Sequence, residues 1–192
     1  MDFFTLTQDE KPERGDVLIS EPYLPDPNFE RTVVYLCEHD EGGTFGFVLN
    51  KKVNVKLNDI VDEATDYKAD LFMGGPVQQN TIHYIHRNTK LTHSAKLIQN
   101  EIYWGGDYHL LTQLLNTKLI SSEDIRFFMG YSGWAAGQLM DEVKENSWII
   151  LKAATQEIIF DWDNHKLWSA CLKAMGGKYR LMSNYPKDPR MN

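Results

Sequence analysis

The sequence predicts an α+β fold built around a curled sheet, and three observations carry that prediction. Short runs rich in β-branched and aromatic residues recur along the chain. Between them lie only brief stretches with helical spacing of their apolar residues. The strand runs often follow one another directly, so the regular βαβ alternation of a doubly wound sheet is missing. A chain of 192 residues suits one domain, 1–192. Folding at that size removes roughly 70% of the unfolded surface from water, enough for a core without staples. Nine Phe, nine Tyr and five Trp supply the large rings to fill it.

Taken in order, Val17-Leu18-Ile19-Ser20, Val33 to Glu38 and Phe45 to Asn50 read as strands, with Gly, Pro or Asp at their ends. Leu57-Asn58-Asp59-Ile60-Val61 places its apolar residues on one helical face and predicts a short helix ending near Ala64. Leu71 to Met73 and Thr81 to His86 are further strands, divided by Gly74-Gly75-Pro76. Ile102-Tyr103-Trp104 stops at Gly105-Gly106, and Asp107 is placed to cap a helix carrying Leu110, Leu111, Leu114 and Leu115. Ile125 to Tyr131 is a strand that Ser132-Gly133 is expected to turn into a helix containing Gln138, Leu139, Glu142 and Val143. Trp148 to Leu151 is a strand. Asp163 is expected to cap a last helix through Leu167, Trp168, Cys171 and Met175, closed by Gly176-Gly177. Pro186 and Pro189 predict an extended tail.

Charge and composition narrow the function classes. A net charge of −7, with basic residues clustered only at Lys51-Lys52-Lys56 and thinly near the C-terminus, argues against a nucleic-acid face. Cys37 and Cys171 are too few for a disulfide framework and read as free thiols of a reducing compartment. The stretch Met1 to Leu6 has no signal-peptide pattern, and no apolar run approaches the ~18–20 residues of a membrane span. The expectation is a cytoplasmic protein. No dinucleotide or P-loop fingerprint is present. His83 and His86 face opposite sides of their strand, and no Cys-x-x-Cys occurs, so neither a metal nor a cofactor is expected.

The stretch from Pro22 to Asn50 concentrates the chemically capable groups. On a strand Cys37 and His39 share one face while Glu38 points to the other. A thiol and an imidazole about 6–7 Å apart approach nucleophile–base geometry only if the strand bends; otherwise Cys37 packs as a small hydrophobe. Arg31 either clamps an anion or has a structural role, pairing with Asp26 or capping carbonyls. Gly105-Gly106-Asp107 reads as a tight turn, since Asp107 would repel an anion from that helix start. Gly130-Tyr131-Ser132-Gly133-Trp134 lies where a nucleophile elbow would, but its order is G-x-S-G-x, not G-x-S-x-G.

Pro22…Asp26-Pro27-Asn28-Phe29-x-Arg31-Thr32-Val33-Val34, Cys37-Glu38-His39, Gly42-Gly43, Gly46-Phe47-Val48-Leu49-Asn50 and Gly74-Gly75-Pro76-Val77 open a series of ordered motifs. His86, Trp104-Gly105-Gly106-Asp107, Gly130-Tyr131-x-Gly133-Trp134-x-x-Gly137-Gln138-Leu139, Trp148 and the ending Tyr185-Pro186…Pro189…Asn192 continue it. Over nearly the whole chain this series resembles the AlgH/YqgE family of small bacterial proteins. The resemblance implies an α+β fold with a curled, barrel-like, mostly antiparallel sheet flanked by short helices. It implies no reaction; the label "transcriptional regulator" attached to the family rests on a genetic association. Three positions depart from the family pattern: Lys51-Lys52 where a basic residue precedes Pro, Met140 where Glu is frequent, and Ser132 where Ala is common. The reading that follows is a binding or regulatory module rather than an enzyme, engaging a protein or a small acidic ligand. Its expected cleft lies near Arg31, Cys37, His39, Asn50, Trp134 and Gln138. A thiol-dependent enzyme or redox sensor using Cys37 is the first alternative, and a DNA-binding regulator the second. Oligomeric state is left open.

Overall fold

The computed structural model describes residues 11–62 and 67–187. In chain order the strands are β1 (Val17–Ser20), β2 (Val33–Asp40), β3 (Gly43–Val48), β4 (Lys52–Lys56), β5 (Asp70–Met73), β6 (Val77–His86), β7 (Lys96–Gln99) and β8 (Ile102–Trp104), then β9 (Ile125–Ala135) and β10 (Trp148–Leu151). The helices are α1 (Tyr108–Asn116), α2 (Gln138–Lys144), α3 (Leu167–Met175) and α4 (Gly177–Met182). The strands run β10-β1-β2-β3-β9-β6-β8-β7, with β4 and β5 branching off beside β9. Every pairing is antiparallel except β5 with β9.

Long β9 organises the sheet by changing partners along its length. Its Ile125–Met129 half pairs with β6 and β5, while Ser132 to Ala135 pairs with β3. Alternation then divides the core, because successive side chains leave a strand on opposite faces. Val33, Tyr35 and Cys37 join Phe47, Phe128 and the Leu167, Trp168 and Leu172 side of α3. Val34 and Leu36 pack under α2 with Trp134, Leu139 and Trp148. Phe127 and Leu71 meet Leu111, Leu114 and Leu115 of α1. Burying each such side chain is worth about 1.5–3 kcal/mol, so sheet and helices hold one another.

The sheet curls without closing. β7 and β10 are its two ends, yet Asn100, just past β7, donates from Nδ2 to the carbonyl of Ala154, just past β10, at 3.4 Å. The Lys96 ammonium of β7 pairs with the Glu38 carboxylate of β2.

Several local expectations change. The strand does not turn at Ser132-Gly133: Gly133 and Trp134 pair with Phe45 and Thr44, so β9 continues to Ala135, and the chain turns at Gly137, whose φ is 78°. Asp163 does not cap α3; its Oδ1 accepts from the His165 N–H at 2.9 Å, and α3 starts later, after Lys166. Gly176 and Gly177, at φ of 71° and 50°, join α3 to α4 rather than ending the helical region. Leu57–Asp59 forms a single 3-10 turn; the expected end at Ala64 lies outside the described residues, as do Met1 to Leu6, Pro189 and Asn192. Asp107 does cap α1, accepting from the Leu110 N–H at 3.0 Å. Among the described residues no helix is long and apolar enough to cross a membrane.

Candidate functional site

The six expected site residues go to three different places. Arg31 and Asn50 form one clamp. The Arg31 guanidinium lies 4.7 Å over the Trp168 ring and donates to the Tyr185 and Pro186 carbonyls at 2.6 Å each. Asn50 accepts from the Val33 N–H at 2.9 Å and donates to the Arg31 carbonyl at 2.8 Å. Arg31 therefore caps carbonyls, one of the roles its position suggested, and ties the C-terminal segment to the mouth of β2.

Cys37 is the extra residue of a β-bulge, since Leu36 pairs with Gly46 and Glu38 with Phe45. Gly46 suits that spot because a Cβ there would come within 2.2 Å of the Tyr35 carbonyl oxygen. The Cys37 thiol is only 1% exposed, and burial pushes its pKa well above the ordinary thiol value. It is a protonated core side chain, not an activated nucleophile. His39 instead reaches across the hairpin, with Nδ1 2.5 Å from the Thr44 hydroxyl.

Trp134 and Gln138 belong to a third cluster, centred on a residue the sequence reading passed over as a site candidate. Glu142 Oε2 accepts from the indoles of Trp134 at 2.9 Å and Trp148 at 2.7 Å, and Oε1 accepts from Gln138 at 3.0 Å. Phe29 stacks on Trp134 and meets Trp148 edge-on. Ser132 is buried and donates to the Gly74 carbonyl at 3.0 Å, which leaves no room for an elbow nucleophile.

An adjoining pair of cavities forms a groove elsewhere, walled largely by other residues. Two cavities of about 450 and 370 Å³ share Glu38, Phe45 and Tyr131. The first extends toward Asp40, Thr44 and Trp134, the second toward His83 and Trp104. Phe45 and Trp104 meet edge-on at 4.7 Å, and Phe45 and Tyr131 at 6.0 Å. Register explains the meeting. Glu38 and Phe45 are cross-strand partners on β2 and β3, and Lys96 and Trp104 are partners on β7 and β8. The curl of the sheet brings the two pairs face to face, where the Lys96 ammonium meets the Glu38 carboxylate.

His83 stands between Phe47 and Tyr131 at 5.5 and 5.8 Å. The Thr81 hydroxyl gives its proton to the Gln78 carbonyl at 2.8 Å, so it accepts from His83 Nε2–H at 2.9 Å. Burial holds the His83 pKa below its usual value, and the imidazole is neutral at pH 7. The groove thus combines π faces, a carboxylate and a neutral ring. Its ring faces suit a cation, which would compete with Lys96 for Glu38, and Asp40 adds a second carboxylate to the lining. Phe45 and Tyr131 read as strand core in the sequence, and only the bulge and the curl reveal that they wall an opening.

Comparison with known proteins places the chain as a whole. The AlgH-like family model matches residues 17–180. A UPF0301 protein of Cytophaga hutchinsonii is 41% identical over 180 residues, covering 93% of this chain and 98% of its own. One from Chlorobium limicola is 41% identical over 178 residues, covering 93% and 95%. Among solved structures, a protein of Corynebacterium diphtheriae shares the fold with a TM-score of 0.76 at 21% identity, covering 92% of this chain and 94% of that one. The solution structure of the AlgH protein from Pseudomonas aeruginosa has a TM-score of 0.70 at 28% identity, covering 93% and 98%. With a full-length fold match, close relatives and the family pattern all in agreement, the chain belongs to the AlgH-like family.

Proposed function

We propose that this protein is a cytoplasmic binding module, not an enzyme, and that it captures an alkylammonium group in the groove walled by Phe45, Tyr131 and Trp104. One observation carries the reading: the Lys96 ammonium rests on the Glu38 carboxylate at the lip of this aromatic enclosure. In that pairing the carboxylate accepts an ammonium, and the same carboxylate lines one cavity with the rings of Phe45, Tyr131 and Trp104. The expected nucleophiles, Cys37 and Ser132, are buried, which favours binding over catalysis. Two free, buried cysteines fit a reducing compartment.

The test is titration with tetramethylammonium, with n-butylammonium and with a lysine-bearing peptide, following the Trp104 indole resonance. Saturable movement of that resonance supports the reading, and Glu38→Gln or Trp104→Leu should weaken binding about tenfold. Lys96→Ala should tighten it, because the competing ammonium is gone. Tight binding of the peptide alone points to a protein lysine as the source, whereas equal binding of the small cations points to a free amine. No saturable shift with any probe refutes the proposal.

A further inference from the structure

A second cavity, of about 370 Å³ and separate from the aromatic groove, has opposite charge. It is lined by Arg126, Lys56, Lys68, Asp70, Ser122 and Asn164 among others. Arg126 lies on β9 and is only 7% exposed. Its guanidinium sits 4.1 Å over the Phe72 ring. It donates to the Ile159 carbonyl at 2.5 Å, the Leu49 carbonyl at 2.7 Å and Asn164 Oδ1 at 2.8 Å. These three bonds leave two of the five N–H donors of a guanidinium, Nε–H among them, free for another acceptor.

Among the described residues no carboxylate forms an ion pair with Arg126. The nearby acid, Asp70, is already engaged by the ammonium groups of both Lys52 and Lys56. Burial pulls the Arg126 pKa down to about 10, and the charge of nearby Asp70 offsets that only in part. A buried charge is costly unless paired, and neutral acceptors compensate it only in part. Fastening the 157–164 segment to the sheet requires hydrogen bonds but not a full charge. The charged groups of the lining are Arg126, Lys56, Lys68 and Asp70, so the cavity carries an excess of positive charge.

We propose that the Arg126 cavity binds a small anion bearing a phosphate or carboxylate group, with Arg126 at its floor and Lys68 at its wall. The free Nε–H of Arg126 can donate to an oxygen of either group. A small acidic ligand, the class expected from the sequence, would find its donors here; at Arg31 it is Nη2 that is taken up by the Tyr185 and Pro186 carbonyls.

The experiment adds inorganic phosphate, then succinate, to the isotope-labelled protein at low salt and follows the Arg126 Nε–H resonance. Saturable movement with phosphate alone assigns a phosphate site, and movement with succinate alone a carboxylate site. Lys68→Gln, an exposed change that leaves the Arg126 bonds intact, should weaken the response about fivefold. Arg126→Met removes it, but that variant tests binding only if its spectrum remains folded; Lys68→Gln keeps the test independent of that outcome. No movement with either anion, or movement unchanged by Lys68→Gln, overturns the proposal. Glu38→Gln should leave anion binding intact, so failure here and failure at the aromatic groove are separable.

Discussion

His86 shows how surroundings decide what a reactive residue type does. It is fully buried, accepts from the Asn88 N–H at Nδ1 over 3.3 Å, and donates from Nε2 to the Gly105 carbonyl at 3.0 Å. Only a neutral ring does both, since a protonated imidazole has no acceptor. Burial holds the folded pKa of both His86 and His83 below the unfolded value of about 6.5. Their contribution to stability is therefore complete above pH ~6.5 and is lost as pH falls through the folded values. Cys37 and Cys171 act in the opposite sense: burial raises both thiols, Cys171 to about 12. Their contribution is complete below the unfolded pKa of about 8.5 and declines as pH rises beyond it. Urea midpoints should thus be highest between pH ~6.5 and 8.5, and His86→Gln should flatten the acid side. An acid slope unchanged in that variant would assign the loss to another group. At pH 8 neither thiol should react with iodoacetamide until urea unfolds the chain; rapid native labelling of Cys37 would revive a thiol-based reading. Arg31→Ala removes two charge-assisted bonds to the C-terminal segment and should cost about 2 kcal/mol. Limited proteolysis after Met182 should accelerate in parallel.

At the level of elements, seven-residue α2 is anchored to the sheet through one of its own carboxylates. Glu142 satisfies two buried indole N–H groups, from Trp134 on β9 and Trp148 at the start of β10. Glu142→Ala leaves both donors unmet and should destabilise by about 3 kcal/mol in urea unfolding. Glu142→Gln keeps an acceptor oxygen and should lose clearly less. A loss below about 1 kcal/mol for the Ala variant would mean water replaces the carboxylate. The helical spacing of Leu139 and Val143 announced α2, but nothing local pointed to Glu142 as its anchor. The strands divide in the same way. β2 was legible because Val33 to Leu36 are apolar throughout, whereas β4 and β7, with Lys52, Lys56 and Lys96 along exposed edges, carry too little apolar pattern to be read.

Across the whole molecule, β9 joins the two parts of the sheet, and Phe128 lies where they meet. It stacks on Phe47 of β3 at 4.6 Å and tilts against Phe72 of β5 at 6.2 Å. Phe128→Ala should cost about 3–5 kcal/mol. Tryptophan fluorescence and far-ultraviolet circular dichroism should still report one coincident transition. Two separate transitions would show that the parts fold independently. The sequence by itself determined the α+β class, most of the strands, the Asp107 cap and the family, because alternation, turn residues and ordered motifs act over a few neighbouring positions. It did not determine which polar groups face a cavity. Cys37 became core through a bulge, and Arg31 was engaged by carbonyls from the far end of the chain. Lys96 and Trp104 were brought to Glu38 and Phe45 by the curl of the sheet, and Arg126 was enclosed by segments distant in sequence. These are long-range pairings set by how strands stack and twist, and only the tertiary structure decides them.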